Sequence, residues 1–393
     1  MSIQSSASRP IHILYFLDRL GPVLGGGERV LLSVLRALPK DRFRASLATF
    51  SCELDRAAMD GLPCRVQVFP MKRTYGVGSL KRAMAFRKLL RDERIDIVQT
   101  MFESSDLWAG LVTKAASKAK LISSRRDLGI LRSTKHRIAY RRLAGLPDRV
   151  LTVSDEVRRF CIEADGLPPE RVFTVYNGIA VETATEAERD KARQELGIPV
   201  DVPVITTVGN LRRVKGTDIL IRAAATVRKR FPDALFLICG SVLETGYLFQ
   251  LRELIKEFRL ETNVRLLGGK ENVPALLALT TVFALPSHSE GFSNALIEAM
   301  AAGVPCVATH AGGNGEAITD GVDGMLVPPD NPDALAQAIC HLLNHPAAAA
   351  EMGTEARITY EKRFTIEVMM NQLVKTYEEV LQNQPTNRER LLI

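Results

Sequence analysis

Residues 281–303, TVFALPSHSEGFSNALIEAMAAG, contain a short apolar run, a polar loop and a longer apolar stretch broken by one carboxylate. The run ends in Pro286-Ser287 and reads as a buried strand leaving a sheet. Ser293 or Asn294 can cap a helix that stops at Gly303, ahead of Pro305. The first turn of such a helix leaves backbone N–H groups unpaired at the positive end of its dipole, which favours an anion such as phosphate. Glu298 lies about one turn in and tilts back toward that end, while Glu290 sits in the loop. The two can hold hydroxyl-rich groups on either side of a bound phosphate, the outline of a nucleotide sugar. A solvent-facing Glu on a surface helix is the plainer alternative, so the rest of the chain has to decide.

With 393 residues, 46% of them hydrophobic, and a mean hydropathy of +0.02, the chain is too long for one ordinary core and suits two globular domains. No apolar run approaches about 18 residues, and MSIQSSASRP lacks the pattern of a signal peptide, so a cytoplasmic location is expected. Six scattered cysteines without CxxC spacing read as reduced thiols, not as a disulfide frame or a zinc site.

Charge is uneven: residues 1–180 hold 31 Lys+Arg against 18 Asp+Glu, a net +13, and residues 181–393 hold 21 against 27, a net −6. Two stretches, 72–91 and 125–142, carry the excess and have apolar residues at helical spacing. Both are expected to form basic amphipathic helices able to meet anionic lipid headgroups at the cytoplasmic membrane face, the alternative being a solvated basic face. Nucleic acid is disfavoured because no aromatic stacking platform accompanies the charge.

Short apolar runs at 11–17, 44–50, 65–70, 96–101, 120–125, 149–154 and 172–178 alternate with longer amphipathic segments, the pattern of βα units in a parallel sheet. The polar segment 181–203 interrupts it. The pattern then restarts with runs at 204–209, 235–240, 264–269, 282–287, 304–309 and 324–329. Two Rossmann-like, doubly wound α/β domains follow, over 1–184 and 185–368, with 369–393 a closing helix packed back on the first. A ligand is expected in a cleft between them, at the carboxyl ends of the strands.

Further loops are expected to point there. VGNLRRVKG (208–216) ends a strand at Gly209 and gathers Arg212, Arg213 and Lys215, all suited to phosphate oxygens. THAGGNGEAITDG (309–321) places Gly312 and Gly313 where backbone can approach a ligand, with Glu316 opening a helix. Gly25, Gly26 and Gly27 follow the first strand but do not form the GxGxxG dinucleotide fingerprint, which disfavours NAD.

From the first strand to about residue 385 the chain resembles glycosyltransferase family 4, a retaining family of GT-B fold. The resemblance is carried by residues 287–339, with an E-x7-E segment, a glycine-rich turn and a G-x-L-V-P-P close, and by VGNLRRVKG, LTVSDEVRR, VYNGI and GGGERVL. It implies that Glu298 binds ribose hydroxyls and Glu290 the donor sugar. Gly291, Phe292, Ser293 and Asn294 belong to the loop and helix start that hold the diphosphate, with Gly26, Gly27 and Gly209 lining the donor. Lys215 neutralises the leaving group. Asn210 stands where many members carry an Arg, so Arg212 or Arg213 is expected to supply that charge. Glu103, Arg126 and Asp127 are expected to face donor and acceptor, with Asp127 a candidate catalytic group. No Asp-x-Asp occurs, so the family's metal-independent transfer from a nucleotide sugar, UDP favoured over GDP, is expected, with no cofactor beyond that donor and no metal. A saccharide or lipid-linked acceptor is implied. The rivals are a glycosidase using paired carboxylates and a non-catalytic subunit of the same fold.

Overall fold

The structure is a computed structural model that describes residues 9–22, 24–71, 76–129, 132–270 and 272–382. These form two compact units, one made of residues up to Gly178 together with Ile366–Gln382, the other of Ile179–Thr365.

The first unit is built on seven strands, β1 (Ile11–Leu20), β2 (Phe43–Cys52), β3 (Val66–Val68), β4 (Ile97–Thr100), β5 (Lys120–Arg125), β6 (Arg149–Thr152) and β7 (Val172–Thr174). All pair in parallel, in the order β3-β2-β1-β4-β5-β6-β7. The second unit has six, β8 (Val204–Val208), β9 (Leu235–Cys239), β10 (Val264–Gly268), β11 (Val282–Leu285), β12 (Cys306–Thr309) and β13 (Met325–Val327), also parallel, in the order β10-β9-β8-β11-β12-β13. Helices cover both faces, so the strands read as continuous apolar runs; β9, LFLIC, is buried at every residue. The expected α/β class and doubly wound sheets are therefore present. Winding reverses between β1 and β4 in one sheet and between β8 and β11 in the other. Loops leaving the carboxyl ends of those neighbouring strands diverge there and leave a crevice.

Helix periodicity supplies the cover. Gly26–Ala37 buries Val30, Leu31, Val34 and Leu35 on one stripe against the first sheet. Ile366–Gln382 buries Met369, Met370, Leu373 and Tyr377 against the same sheet. A buried polar chain fixes its register: the Tyr377 and Tyr15 hydroxyls meet at 3.1 Å, Tyr377 donates to Gln99 Oε1 at 2.7 Å, and Gln99 donates to Ser124 Oγ at 2.8 Å.

The basic stretches need correction. In 72–91 a helix spans Val77–Asp92, with residues 72–75 outside the described residues. In 125–142 the helix is confined to Thr134–Arg142, residues 130 and 131 lying outside the described residues. Arg125 ends β5, and its side chain and that of Arg132 are 5% and 3% exposed. Arg125 Nη1 lies 2.7 Å from Asp106, and Arg132 grips Asp165 at 2.8 Å and Glu103 at 2.7 Å. Arg125 and Arg132 are thus neutralised inside the unit and offer nothing to an external anion, while Lys135, Arg137, Arg141 and Arg142 stay exposed on Thr134–Arg142.

Among the described residues no helix is long and apolar enough to cross a membrane. The six cysteines are free thiols, four of them buried. Replacing Tyr377 by Phe leaves Gln99 Oε1 without its buried donor and is expected to cost about 1–3 kcal/mol. A urea titration checks this: the midpoint falls with an unchanged m-value.

Candidate functional site

In the second unit the site grows from the switch point. Strands β8 and β11 are neighbours, registered Val282↔Ile205 and Phe283↔Thr206. After β8 the chain runs through Gly209 and Asn210 into a single turn, Arg213–Lys215, and reverses at Gly216 with φ +61°, the left-handed region that favours glycine. A side chain at Gly216 would also overlap the Pro286 carbonyl at the end of β11. The two loops are thus pressed together where neither tolerates extra atoms.

That contact brings Lys215 to Glu290, Nζ to Oε1 at 2.5 Å. The Glu290 side chain is 8% exposed and the Lys215 side chain 30%. Ser287, fully buried, donates to the same carboxylate oxygen at 2.8 Å. Ser287 is held in turn by Thr309 Oγ1, which donates to its carbonyl at 2.6 Å. Gly312 approaches Glu290: it has φ +55°, and a Cβ would overlap the Glu290 carbonyl. Glu290 is therefore fixed by backbone from one side and by Ser287 and Lys215 from the other. Sequence reading missed Ser287 and Thr309 because their role appears only when β11 and β12 lie side by side.

Beyond Glu290, Gly291 is half-buried and Phe292 packs on Phe364, ring centroids 5.3 Å apart. Ser293 caps helix Asn294–Ala301, its hydroxyl accepting from the Leu296 N–H at 3.4 Å. Glu298 lies half-buried on that helix. The neighbouring arginines point elsewhere. Arg212 Nε reaches Glu244 at 3.4 Å, and exposed Arg213 donates to Gln250 at 2.6 Å with its guanidinium 5.6 Å from the Tyr247 ring. Arg212 is tethered to Glu244, the N-cap of helix Thr245–Glu257, and Arg213 to Gln250 within it, while Lys215 is the member of this cluster paired with Glu290. Asn210 is half-buried between them and β8.

In the first unit Gly26 and Gly27 open helix Gly26–Ala37, and a Cβ on Gly27 would meet Arg126 Nε at 3.0 Å and Phe102 at 3.2 Å. Arg126 donates to Asn177 Oδ1 at 2.9 Å, and burial lowers its pKa to about 10. Exposed Asp127 accepts from the Gly129 N–H at 2.6 Å and so shapes the turn after β5. Glu103 opens helix Glu103–Ala116 and pairs with Arg132 and with His136 at 3.3 Å. Asp18 takes the Ser104 and Ser105 N–H groups of that helix at 3.0 and 2.6 Å; burial raises its pKa. A carboxylate of the protein itself thus fills this helix start.

Two family models match the chain: Glycosyltransferase Family 4 over residues 24–183 and Glycosyl transferases group 1 over residues 188–359. The chain is 29% identical to the D-inositol 3-phosphate glycosyltransferase of Mycolicibacterium paratuberculosis, over 61% of this chain and 55% of that protein. It is 35% identical to the enzyme of the same name from Corynebacterium urealyticum, over 53% of this chain and 51% of that protein. The chain therefore spans about half the length of these curated relatives. The crystal structure of Anabaena HepE in complex with UDP-glucose superposes with a TM-score of 0.83 at 24% identity, covering 93% of this chain and 99% of that one. The fold is GT-B, and the chain belongs to the group 1 glycosyltransferase family that these models describe.

Gly216→Ala should lower stability by more than about 2 kcal/mol, because left-handed strain adds to the clash with Pro286. At Gly209 a Cβ would come no nearer than 3.8 Å to any neighbour, so Gly209→Ala should melt close to the parent. Thermal unfolding of the two variants makes the comparison.

Proposed function

We propose that the protein is a retaining, metal-independent glycosyltransferase that moves a sugar from a nucleoside diphosphate sugar, UDP favoured, to a saccharide or lipid-linked acceptor. The observation that carries this reading is the Lys215–Glu290 pair at the β8/β11 switch point, one turn ahead of the start of helix Asn294–Ala301. Breaking a sugar–diphosphate bond builds negative charge on the leaving oxygens. Lys215 supplies a fixed point charge and the first-turn N–H groups supply oriented dipoles, so that charge is stabilised without rearrangement. A bound diphosphate would share Lys215 with Glu290 and leave Glu290 oxygens open to a sugar hydroxyl. Glu298 would hold the ribose. The UDP-glucose complex of HepE supports UDP as donor. The absence of Asp-x-Asp from the sequence supports a cation-and-dipole strategy over a metal-bridged one.

Lys215→Ala is expected to reduce acceptor-dependent UDP release from a UDP-sugar by about 10²–10³-fold, the usual cost of removing one group that stabilises transition-state charge. Unchanged turnover would overturn the assignment. Release of free sugar from an oligosaccharide would favour a glycosidase, and failure of the parent protein with every donor tried would favour a non-catalytic subunit.

Helix Val77–Asp92 supports a peripheral membrane contact: Leu80 and Met84 are 65% and 59% exposed, with Lys81, Arg82, Arg87 and Lys88 exposed beside them. Each such cation contributes about 1 kcal/mol near an anionic surface. Co-sedimentation should show stronger binding to anionic than to neutral vesicles, and the difference should shrink when the four cations are changed to Gln.

A further inference from the structure

We propose that His288 is a positioning residue for the donor site, latching the Ser287–Glu290 loop to the turn that carries Lys215. The inference rests on the reading of Lys215 and Glu290 as donor-holding groups.

The His288 N–H donates to the Val214 carbonyl at 2.9 Å, joining the β11 loop to the middle of the Arg213–Lys215 turn. Its ring is held from two further directions. Nδ1 hydrogen-bonds the Asp330 carboxylate, from the segment after β13. Nε2 lies 4.0 Å from Asp218 Oδ1, in the first turn of helix Thr217–Val227. Asp218 is itself fixed, since it accepts from the Tyr247 hydroxyl at 2.5 Å while its N–H donates back to that hydroxyl at 3.1 Å. Asp330 has φ +58°, a left-handed conformation uncommon for a residue with a side chain and retained where its surroundings hold it. Gly216 lies beneath the ring, where a Cβ would come within 3.6 Å of Nε2.

Segments following β8, β11 and β13 therefore converge on one imidazole. Glu290 is two residues along the chain from it, and Lys215 is next to the carbonyl that His288 engages and to the glycine under its ring. The Lys215–Glu290 pair has direct support from Ser287 below, and the two loops meet at Gly216 and Pro286 and through the His288 backbone N–H; the ring adds the tie from these loops to Asp330 after β13. Freeing the ring would let Lys215 and Glu290 drift while the cores of the unit, made of residues such as Ile205, Phe236 and Leu335, stay packed. Such a residue acts through its neighbours: its loss should weaken ligand binding without unfolding the protein.

Calorimetric titration of the whole protein with UDP tests this alongside thermal unfolding. His288→Phe keeps ring volume without a hydrogen-bond donor and should weaken UDP binding by about 10-fold, the loss expected for one charge-assisted hydrogen bond. His288→Asn keeps a donor near Nδ1 and should recover affinity to within about threefold. Asp330→Ala, at a 67% exposed side chain, should reproduce the His288→Phe loss, and the two together should lose no more than either alone. Lys215→Ala is the control for the underlying reading: if it binds UDP like the parent, that reading falls and the latch with it. If Lys215→Ala loses affinity while His288→Phe and Asp330→Ala do not, the latch alone is overturned. Equal losses in His288→Phe and His288→Asn also overturn it, since that pattern means packing and not the bond to Asp330.

Discussion

A carboxylate withdrawn from water must be compensated, and Glu290 is the place in the second unit where this requirement organises the most chain. Removing such a group from solvent costs several kcal/mol unless partners replace the lost hydration. Here Lys215 and Ser287 provide the replacement. Satisfying it draws the loops after β8 and β11 together at the carboxyl edge of one sheet, with the loop at Gly312 packed on the Glu290 backbone. The same demand explains the two glycines with positive φ that frame the site, because side chains at Gly216 and Gly312 would push apart the strands' outgoing loops. Lys215 is left partly accessible beside a helix start, which is what an incoming anion needs.

The first unit solves the same problem differently. Asp106, Asp165 and Glu103 face Arg125 and Arg132, and the Tyr140 ring lies between the two guanidinium groups, 3.8 and 4.4 Å from its centroid. Cation–π contact and ion pairing together hold the segment after β5 against the helices that follow β4 and β6. Burial and Asp106 both push the Tyr140 phenol upward, so its hydroxyl stays a neutral donor to Asp106 at 3.1 Å. Positive charge concentrated in sequence thus divides into a buried structural share and an exposed share on Val77–Asp92 and Thr134–Arg142.

Those two shares show where sequence reading holds and where it stops. Strands were legible because a parallel strand covered on both faces is an unbroken apolar run, as in LFLIC. Ser293 as cap and Gly303 as terminus were legible because capping is local chemistry. The pairing of Lys215 with Glu290 spans 75 residues, yet both were picked out because each follows a strand end. Arg125 and Arg132 misled because their partners, Asp106 and Asp165, come from other βα units, and spacing alone cannot tell a solvated cation from a buried one. Arg212 and Arg213 were expected as alternatives for the charge missing at Asn210, and Glu244 and Gln250 decide where they point.

The helix Ile366–Gln382 belongs to the first unit although the whole second unit precedes it in the chain. A ribosome therefore delivers every strand of the first sheet long before the piece that covers Tyr15 and Gln99. The second unit, continuous in sequence, can finish folding while the first still shows bare apolar and polar groups on that face. Completion of the earlier-made unit waits on helix Ile366–Gln382, and a chain truncated before Ile366 would emerge with the second unit finished and the first bare on that face.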